Sequence, residues 1–285
     1  GLKLSKYSKL SLFLSKYISE RHFSGELPDP TYAKEKYKDF NQRNLLVYEF
    51  KNNSFSHVLK TAFLTQEYHY YADKNYSNFD FGKSKTYLFN YDFYFKINSL
   101  TKIELFSEYT SIFASTNTIQ EKNRTQFSQS AIFTQNIEDL FLYNLKVRKD
   151  FNSDFEISFT AAFGVEIPFL TNFVGRINGS SNYRVPTYND LYWPGQGNLN
   201  LNPETSKQID LGLEFKENNT LLEFDLFLIK TKDKITWIPG GDIERPGVWV
   251  PINIASTENK GFELSGSQLW NLSGSVVTLN TNYSY

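Results

Sequence analysis

Hydrophobic and polar residues alternate along most of this chain with a period of two, which is typical of β-strands whose two faces meet different surroundings. In the clearest case, residues 86–97, polar side chains such as Asn90, Asp92 and Lys96 share one face. Taken alone, this segment is more typical of a half-buried strand in a soluble sandwich than of a membrane strand. The opposite, apolar face consists of Tyr87, Phe89, Tyr91, Phe93, Phe95 and Ile97.

The same alternation recurs along the chain and predicts about 13 strands of roughly 9–16 residues. Strands of soluble proteins average about five or six residues, whereas a tilted strand needs about 9–11 to cross a bilayer. The length of the strands therefore favours a membrane barrel over a sandwich. Further alternating segments are residues 44–51, 55–71, 101–115, 125–137, 139–149, 154–167, 208–216 and 220–235.

The connections between these segments alternate between short and long, which is typical of an outer-membrane barrel with tight turns on one rim and long loops on the other. This argument is independent of any motif, and it predicts that the long loops are extracellular. The short connections lie near residues 52–54, 98–100, 137–138, 168–170, 217–219 and 270–273. The predicted long loops lie near residues 18–43, 73–83, 182–206 and 238–257.

Composition narrows the class of protein further. The 285 residues have a mean hydropathy of −0.46 although 40 % of them are hydrophobic, as expected when half of each strand faces water. No apolar run approaches the roughly 18 residues of a transmembrane helix. The net charge of −1 gives no reason to expect nucleic-acid binding. Without cysteine there is no thiolate nucleophile or thiolate metal site.

Catalytic and metal chemistry find little support in the sequence. His57 and His69 lie too far apart on one strand to share a metal ion, and His22 lies in a predicted loop, so neither a metal site nor a cofactor is expected. Paired carboxylates, Glu104 with Glu108 and Glu223 with Asp225, could in principle act as an acid and a base. Their positions on strand faces fit a polar barrel interior better, with Lys146, Arg148 and Arg176 as the opposite charges. We therefore expect no enzyme.

One stretch breaks the alternation, residues 182–205, which we call the signature segment. It is rich in Asn, Pro and Gly and so predicts a surface loop, yet it carries the large aromatics Tyr183, Tyr188, Tyr192 and Trp193. Large aromatics in a surface loop either pack back on the loop or meet a ligand. A long loop on a β scaffold is a common place for a binding site.

The signature segment carries a resemblance to the TonB-dependent outer-membrane receptors. Residues 183–192, Tyr-Arg-Val-Pro-Thr-Tyr-Asn-Asp-Leu-Tyr, and 197–205, Gly-Asn-Leu-Asn-Leu-Asn-Pro-Glu-Thr, follow the paired motifs of that family, with Leu199 where the family usually has Pro. The run 189–194 is most similar to vitamin B12 (cobalamin) receptors. Weaker similarity continues through residues 209–214, 235–239, 253–254 and 261–263.

The resemblance implies a fold and a location. It implies an all-β, antiparallel transmembrane β-barrel in the bacterial outer membrane, of which residues 1–285 form a partial barrel, since the family's barrel has about 22 strands. We expect flanking sequence or other chains to complete it, because unpaired strand edges are untenable in lipid. The N-terminal plug domain of the family, its TonB box and the final strand are expected to lie outside this segment.

The resemblance also implies transport. The expected function is uptake of a scarce ligand, cobalamin or another corrinoid, with energy coupling by TonB through the plug and a surface lipoprotein as a further partner. A ferric-siderophore receptor is the alternative within the family. Haem uptake is disfavoured because residues 187–197 contain no His. A passive porin, an adhesin barrel or a soluble β-sandwich or propeller enzyme are alternatives of other classes.

Two groups of site residues follow. The residues that match the family motif are expected to be structural, with Pro fixing the backbone and Arg and Glu tying the base of the loop. The aromatics outside the motif are better candidates for ligand contact because they offer large apolar area at low entropy, although Trp237 could instead anchor at the membrane interface. The motif residues are Tyr183, Arg184, Pro186, Asn198, Pro203 and Glu204. The predicted ligand-binding residues are Tyr188, Asn189, Asp190, Tyr192, Trp193, Trp237 and Trp249.

Overall fold

A computed structural model describes residues 1–24, 33–138, 140–240 and 247–285. Within these described residues, fourteen strands form one antiparallel sheet in which the strands follow one another in chain order, and the fold is all-β as predicted. One short α-helix interrupts the order between β10 and β11. The elements are β1 Leu2–Lys3, β2 Ser8–His22, β3 Lys36–Lys51, β4 Phe55–Tyr71, β5 Asp80–Lys96, β6 Thr101–Thr116, β7 Lys122–Ile137, β8 Phe141–Asn152, β9 Thr160–Pro168, β10 Phe173–Arg184, α1 Tyr188–Tyr192, β11 Glu204–Glu217, β12 Thr220–Pro239, β13 Trp249–Leu272 and β14 Ser275–Ser284.

The chain divides into two compact units, each of which is described by itself. Unit 1 comprises Gly1–Tyr94, Leu105–Gln129 and Asp150–Glu156, and unit 2 comprises Phe95–Glu104, Ser130–Lys149 and Ile157–Tyr285. The signature segment and its neighbouring strands β9–β13 lie in unit 2. In the described part of the chain, no helix is long and apolar enough to cross a membrane.

The sheet of unit 2 exposes a continuous apolar band on one side, which we call its apolar face. Leu211 and Leu226 lie directly opposite each other on β11 and β12, and they are 46 % and 41 % exposed. Soluble proteins rarely expose contiguous apolar surface on this scale. The band consists of Ile209, Leu211 and Leu213 on β11, Leu222, Phe224, Leu226 and Leu228 on β12, and Phe262 and Leu264 on β13.

The other side of the same strands, the polar face, carries paired charges. The Arg176 guanidinium lies 3.3 Å from a carboxylate oxygen of Glu214 and donates a hydrogen bond of 3.0 Å to Glu223. Ser265 donates to the other oxygen of Glu223 at 2.9 Å. Four neighbouring strands thus contribute to one network. The predicted pairing of opposite charges on the polar face is confirmed for Arg176 and Glu223.

Tight turns join the strands at the predicted short connections, and side-chain amides stabilise them. The Asn52 carbonyl oxygen accepts hydrogen bonds from the backbone N–H groups of Ser54 and Phe55 at 2.9 and 2.8 Å. Asn98 repeats this arrangement two turns later, with 2.8 Å bonds from the N–H groups of Leu100 and Thr101. Asn is favoured in such turns because its short side chain mimics a backbone acceptor.

The strands are longer than the alternation predicts, so the predicted loop boundaries need correction. Ladder pairing continues from Ile18 opposite Phe40 to His22 opposite Lys36, so both ends of the loop predicted at 18–43 belong to β2 and β3, and its centre, residues 25–32, lies outside the described residues. The loops predicted at 73–83 and 182–206 shrink to 72–79 and 185–203. Of the loop predicted at 238–257, residues 238–239 belong to β12 and residues 249–257 to β13, while residues 241–246 lie outside the described residues. Backbone pairing thus persists beyond the apolar band, where the alternation fades.

The structure differs from the prediction in two further respects: the number of strands and the residue at which one strand begins. The structure has 14 strands rather than about 13, because the two-residue β1 pairs with β2. The strand predicted at 154–167 begins only at Thr160. The residues before it leave the ladder: Ile157 is buried, and its carbonyl accepts a hydrogen bond from the Lys149 ammonium.

Candidate functional site

The signature segment contains a helix that the alternation argument missed. Helix α1 begins after Thr187, whose hydroxyl accepts from the Asp190 N–H at 3.1 Å while the Asp190 carboxylate accepts from the Thr187 N–H at 2.8 Å. This reciprocal arrangement is a capping box. The spacing Thr-x-x-Asp is visible in the sequence and could have predicted the helix. Helix α1 orders the aromatics Tyr188 and Tyr192, whose ring centroids lie 6.2 Å apart.

An Arg–Glu pair closes the base of the segment. Arg184 and Glu204, at the facing ends of β10 and β11, form two parallel hydrogen bonds of 2.8 and 3.0 Å. The Ile235 N–H donates to the same carboxylate at 2.9 Å, and the Ile235 carbonyl accepts from Arg184 at 3.3 Å. Bidentate pairing fixes geometry as well as adding energy. The pair therefore locks the two loop ends to each other and to β12.

Asp190 is the centre of the site. Its side chain is buried and accepts from the Thr187 N–H and hydroxyl, each at 2.8 Å, and from the Trp237 indole N–H at 2.8 Å. The Arg184 guanidinium lies 3.7 Å away. Burial alone would raise the pKa of Asp190, but these hydrogen bonds and the guanidinium outweigh it and hold the pKa below its ordinary value. Asp190 is thus ionised at neutral pH.

Hydrogen bonds of three asparagines attach the second half of the signature segment to the neighbouring strands. The Asn198 N–H donates to the Asp190 carbonyl at 2.8 Å, and its side chain donates to the Pro251 carbonyl at 3.1 Å. Asn202 and Asn253 exchange two hydrogen bonds of 2.9 and 3.0 Å. Asn253 also donates to the carbonyl of Asp233, a residue with a φ of 53°. The segment is therefore tied to both β12 and β13.

The structure places the predicted ligand-binding residues in two different settings. Trp193 and Trp249 are 47 % and 53 % exposed, and Tyr188 and Tyr192 are half-buried on α1. Asp190 and Trp237 instead form a hydrogen bond with each other inside the network, and the ligand contact predicted for them stays a prediction. The carbonyl of Asn189 accepts from the Trp193 N–H at 3.1 Å, while its side chain is exposed.

The motif residues lie at the base of the segment. Arg184, Asn198 and Glu204 make the contacts described above. Pro186 is almost fully buried, Pro203 is half-buried, and Tyr183 lies opposite Thr205 in the ladder. Other residues of the site were not singled out from the sequence. For Ile235, Pro251 and Asn253 the reason is that they lie far along the chain from the residues they contact. The full set is Thr187, Leu191, Leu201, Ile235, Pro251 and Asn253.

Replacing Gly197 with alanine is expected to disrupt the packing of the signature segment. A Cβ there would lie 2.5 Å from the Leu191 carbonyl oxygen and 2.7 Å from the Trp193 backbone nitrogen. Because both obstacles are backbone atoms at the end of α1, Gly197→Ala should displace the helix and increase protease cleavage within residues 185–203 at least ten-fold. Gly247→Ala, where a Cβ meets nothing within 4 Å, is the control. Equal cleavage of the two variants would contradict the packing described here.

The exposed apolar band, the paired polar face and the long strands are typical of a membrane β-barrel. The family model "TonB dependent receptor-like, beta-barrel" matches residues 12–285. The chain belongs to this family of outer-membrane receptor barrels, as its sequence predicted, and is an integral outer-membrane protein.

Among the similar curated proteins are two vitamin B12 transporters. The BtuB protein of Vibrio vulnificus is 37 % identical over 82 residues, covering 29 % of this chain and 13 % of the relative. The BtuB protein of Photobacterium profundum is 30 % identical over 121 residues, covering 42 % of this chain and 20 % of the relative. The chain therefore spans a small part of the length of these relatives.

Solved structures of similar fold include two receptors from Pseudomonas aeruginosa. The siderophore receptor PirA superposes with a TM-score of 0.79 at 12 % identity, over 99 % of this chain and 54 % of that receptor. The ferric enterobactin receptor PfeA gives a TM-score of 0.80 at 12 % identity and 50 % coverage of that chain. At such low identity these likenesses show the fold alone, and the chain spans about half of each receptor.

Proposed function

We propose that this chain is part of a receptor that takes up cobalamin or another corrinoid across the outer membrane. The similarity to two vitamin B12 transporters at 37 % and 30 % identity is the observation that carries the choice of ligand. The siderophore receptors share this fold at 12–14 % identity, which supports no statement about ligand. A ferric siderophore is therefore the weaker alternative.

The geometry of the signature segment supports a ligand platform. Its base is fixed by the Arg184–Glu204 pair and by Asp190, while Trp193 projects into solvent from the end of α1. Leu199, 68 % exposed, adds a second apolar side chain on the same segment. A rigid loop with exposed apolar side chains binds at low entropic cost. A flat, largely apolar corrin ring would bury area against these side chains.

The proposal includes partners. Transport by this family requires a plug domain and energy coupling by TonB, both of which would be supplied outside residues 1–285. A surface lipoprotein that closes over the bound ligand is a further proposed partner. The barrel itself is proposed to bind and transport and to catalyse no reaction, because its family is one of receptors and the carboxylates at the site are engaged in structural hydrogen bonds.

Uptake in cells tests the proposal. Cells that carry the full-length receptor as their only route for corrinoids should accumulate labelled cyanocobalamin from nanomolar concentrations. Accumulation should fall to the level of receptor-free cells when TonB is deleted, whereas binding at the cell surface should persist. A passive porin would be indicated by uptake that needs neither TonB nor the signature segment. If cells that display the folded receptor bind no cyanocobalamin at their surface, the corrinoid proposal is contradicted.

A further inference from the structure

Four aromatic side chains interrupt the polar face of unit 1 where its strands join the long loops. This face lies opposite to an apolar band that includes Leu46, Phe63 and Tyr87, because residues an odd number apart on a strand project to opposite sides. Further along the same face, polar side chains pair instead, as in the 2.8 Å hydrogen bond from the Lys60 ammonium to Asp92. We call Phe23, Tyr37, Tyr68 and Tyr70 the aromatic cluster.

Tyr37 lies at the centre of the aromatic cluster. It stands directly opposite Tyr70 in the β3–β4 ladder, and the centroids of these two rings are 5.0 Å apart. The rings of Phe23 and Tyr68 lie 5.6 and 5.7 Å from the Tyr37 ring. The angles between the Tyr37 ring and its three neighbours range from 43° to 63°. The rings therefore form an angled aromatic surface rather than one parallel stack.

A glycine beneath Tyr68 seats its ring against the sheet. A Cβ at Gly82 would lie 2.3 Å from Cε1 of that ring, so the ring occupies the space where a side chain of β5 would otherwise stand. Tyr68 nevertheless remains 41 % exposed, and Phe23 is 49 % exposed. Aromatic surface that stays in contact with water gains free energy when a ligand covers it.

A neutral set of hydrogen-bonding groups borders the aromatic cluster. The Arg21 guanidinium lies 5.2 Å from the centroid of the Tyr37 ring and 3.2 Å from a carboxylate oxygen of Asp39. The Ser19 hydroxyl donates to the same oxygen at 3.1 Å. Because the charges of Arg21 and Asp39 offset each other, this part of the surface offers donors and acceptors without a net charge.

We propose that the aromatic cluster binds a neutral oligosaccharide, with a sugar ring stacked on Tyr37 and Tyr68 and its hydroxyls bonded to Arg21 and Asp39. The face of a pyranose ring consists of apolar C–H groups and its rim carries hydroxyls, so its best partner is an aromatic surface beside donors and acceptors. An anionic ligand is a poorer match, because the positive charge of Arg21 is already neutralised by Asp39.

The position of the aromatic cluster favours a soluble sugar over the sugar of a membrane lipid, because the cluster and the apolar band lie on opposite sides of the sheet. The saccharide site is also separate from the signature segment. The aromatic cluster belongs to unit 1 and the signature segment to unit 2, so each can be altered by itself. The saccharide site does not depend on which ligand the signature segment takes.

An array of neutral and acidic oligosaccharides tests the saccharide site, with the full-length receptor applied in a detergent that has no sugar headgroup. The wild type should bind neutral oligosaccharides, and the free oligosaccharide should compete for this binding. Tyr37→Ala/Tyr68→Ala should bind them at least about 30-fold more weakly, because central aromatic anchors dominate such sites. Gly82→Ala keeps all four rings but displaces the Tyr68 ring, and should lose about ten-fold.

Two controls separate this site from the rest of the molecule. Gly247→Ala, where a Cβ meets nothing within 4 Å, is matched to Gly82→Ala and should bind oligosaccharides as the wild type does. Tyr37→Ala/Tyr68→Ala should bind cyanocobalamin as the wild type does, so failure of the corrinoid proposal and failure of the saccharide site are distinguishable. Far-UV circular dichroism verifies that each variant keeps its β structure.

Three results would overturn the saccharide site. The first is a folded wild type that binds no neutral oligosaccharide or binds acidic ones only. The second is unchanged oligosaccharide binding by Tyr37→Ala/Tyr68→Ala. The third is a loss of cyanocobalamin binding in that variant without any oligosaccharide binding by the wild type, which would assign the aromatic cluster to the corrinoid. The first result needs only the wild-type protein, so it remains decisive if a variant folds poorly.

Discussion

Asp190→Ala should release the signature segment and lower ligand affinity by at least about 30-fold, because the change costs about 2 kcal/mol or more. The capping box loses its N3 carboxylate, so the Thr187 N–H and the Trp237 indole N–H both lose their acceptor, at about 1–3 kcal/mol each. Binding by the full-length receptor, measured by calorimetry, gives the affinity. Protease cleavage within residues 185–203 should rise in parallel.

Asp190→Asn is the matched control. An amide oxygen can still accept from Trp237, but an amide cannot replace both carboxylate oxygens toward Thr187 and Trp237, so an intermediate loss is expected. Equal affinity of the alanine variant and the wild type would contradict the role given to Asp190, since a peripheral carboxylate would have no effect.

The loop network should also be sensitive to acid. The pKa of Asp190 is lowered from 3.8, so the folded loop favours the ionised carboxylate. The stability that this provides is complete above the ordinary pKa and is lost as the pH falls through the depressed pKa. Cleavage of the loop should therefore be flat from neutral pH down to about pH 5 and rise only in stronger acid. Asp190→Asn should reduce this dependence but not abolish it, because burial raises the pKa of Glu204 less than its hydrogen bonds with Arg184 and Ile235 lower it, so this carboxylate also resists protonation until stronger acid.

Replacing the aromatics of the platform should abolish tight ligand binding without unfolding the barrel. In Tyr188→Ala/Tyr192→Ala/Trp193→Ala, affinity for the corrinoid should fall about 100- to 1,000-fold, because central aromatic anchors contribute about 2 kcal/mol or more each and do not add fully. The capping box and the Arg184–Glu204 pair remain in this variant. Loop cleavage should therefore rise much less than for Asp190→Ala.

An aromatic in another long loop provides the control. Tyr76, 66 % exposed, lies between β4 and β5, and Tyr76→Ala should bind as the wild type does. If the triple variant retained wild-type affinity, the ligand would have to lie elsewhere. If Tyr76→Ala lost as much as the triple variant, the platform would extend beyond the signature segment.

Strands were predictable here because the two faces of the sheet meet different surroundings. Where Leu211 and Leu226 face the bilayer side and Asp210 and Asp225 the polar side, alternation is strong and the strands were found. Beyond the band, at Lys36 and Lys38 opposite Tyr71 and His69, the face that carried the apolar residues becomes polar, while Tyr37 and Tyr70 meet on the other face. The contrast between the two faces is lost there, and the period-two signal in the sequence fades with it.

The site was predictable only in part. The motif drew attention to Arg184 and Glu204, and the Thr187–Asp190 spacing was a readable signal for α1. The contact of Asp190 with Trp237 spans 47 positions in sequence, and no local pattern encodes it. Trp237 is one of the predicted ligand-binding residues, but its role as an indole donor to Asp190 could not be inferred without the register of β12.

Calorimetric titration of the full-length receptor with cyanocobalamin, and in parallel with a ferric catecholate siderophore, tests the central claim most directly. The corrinoid proposal predicts nanomolar binding of cyanocobalamin and no measurable heat with the siderophore. Tight siderophore binding by a folded receptor that ignores cyanocobalamin would contradict it, and would leave the family and the tied loop in place with a different cargo.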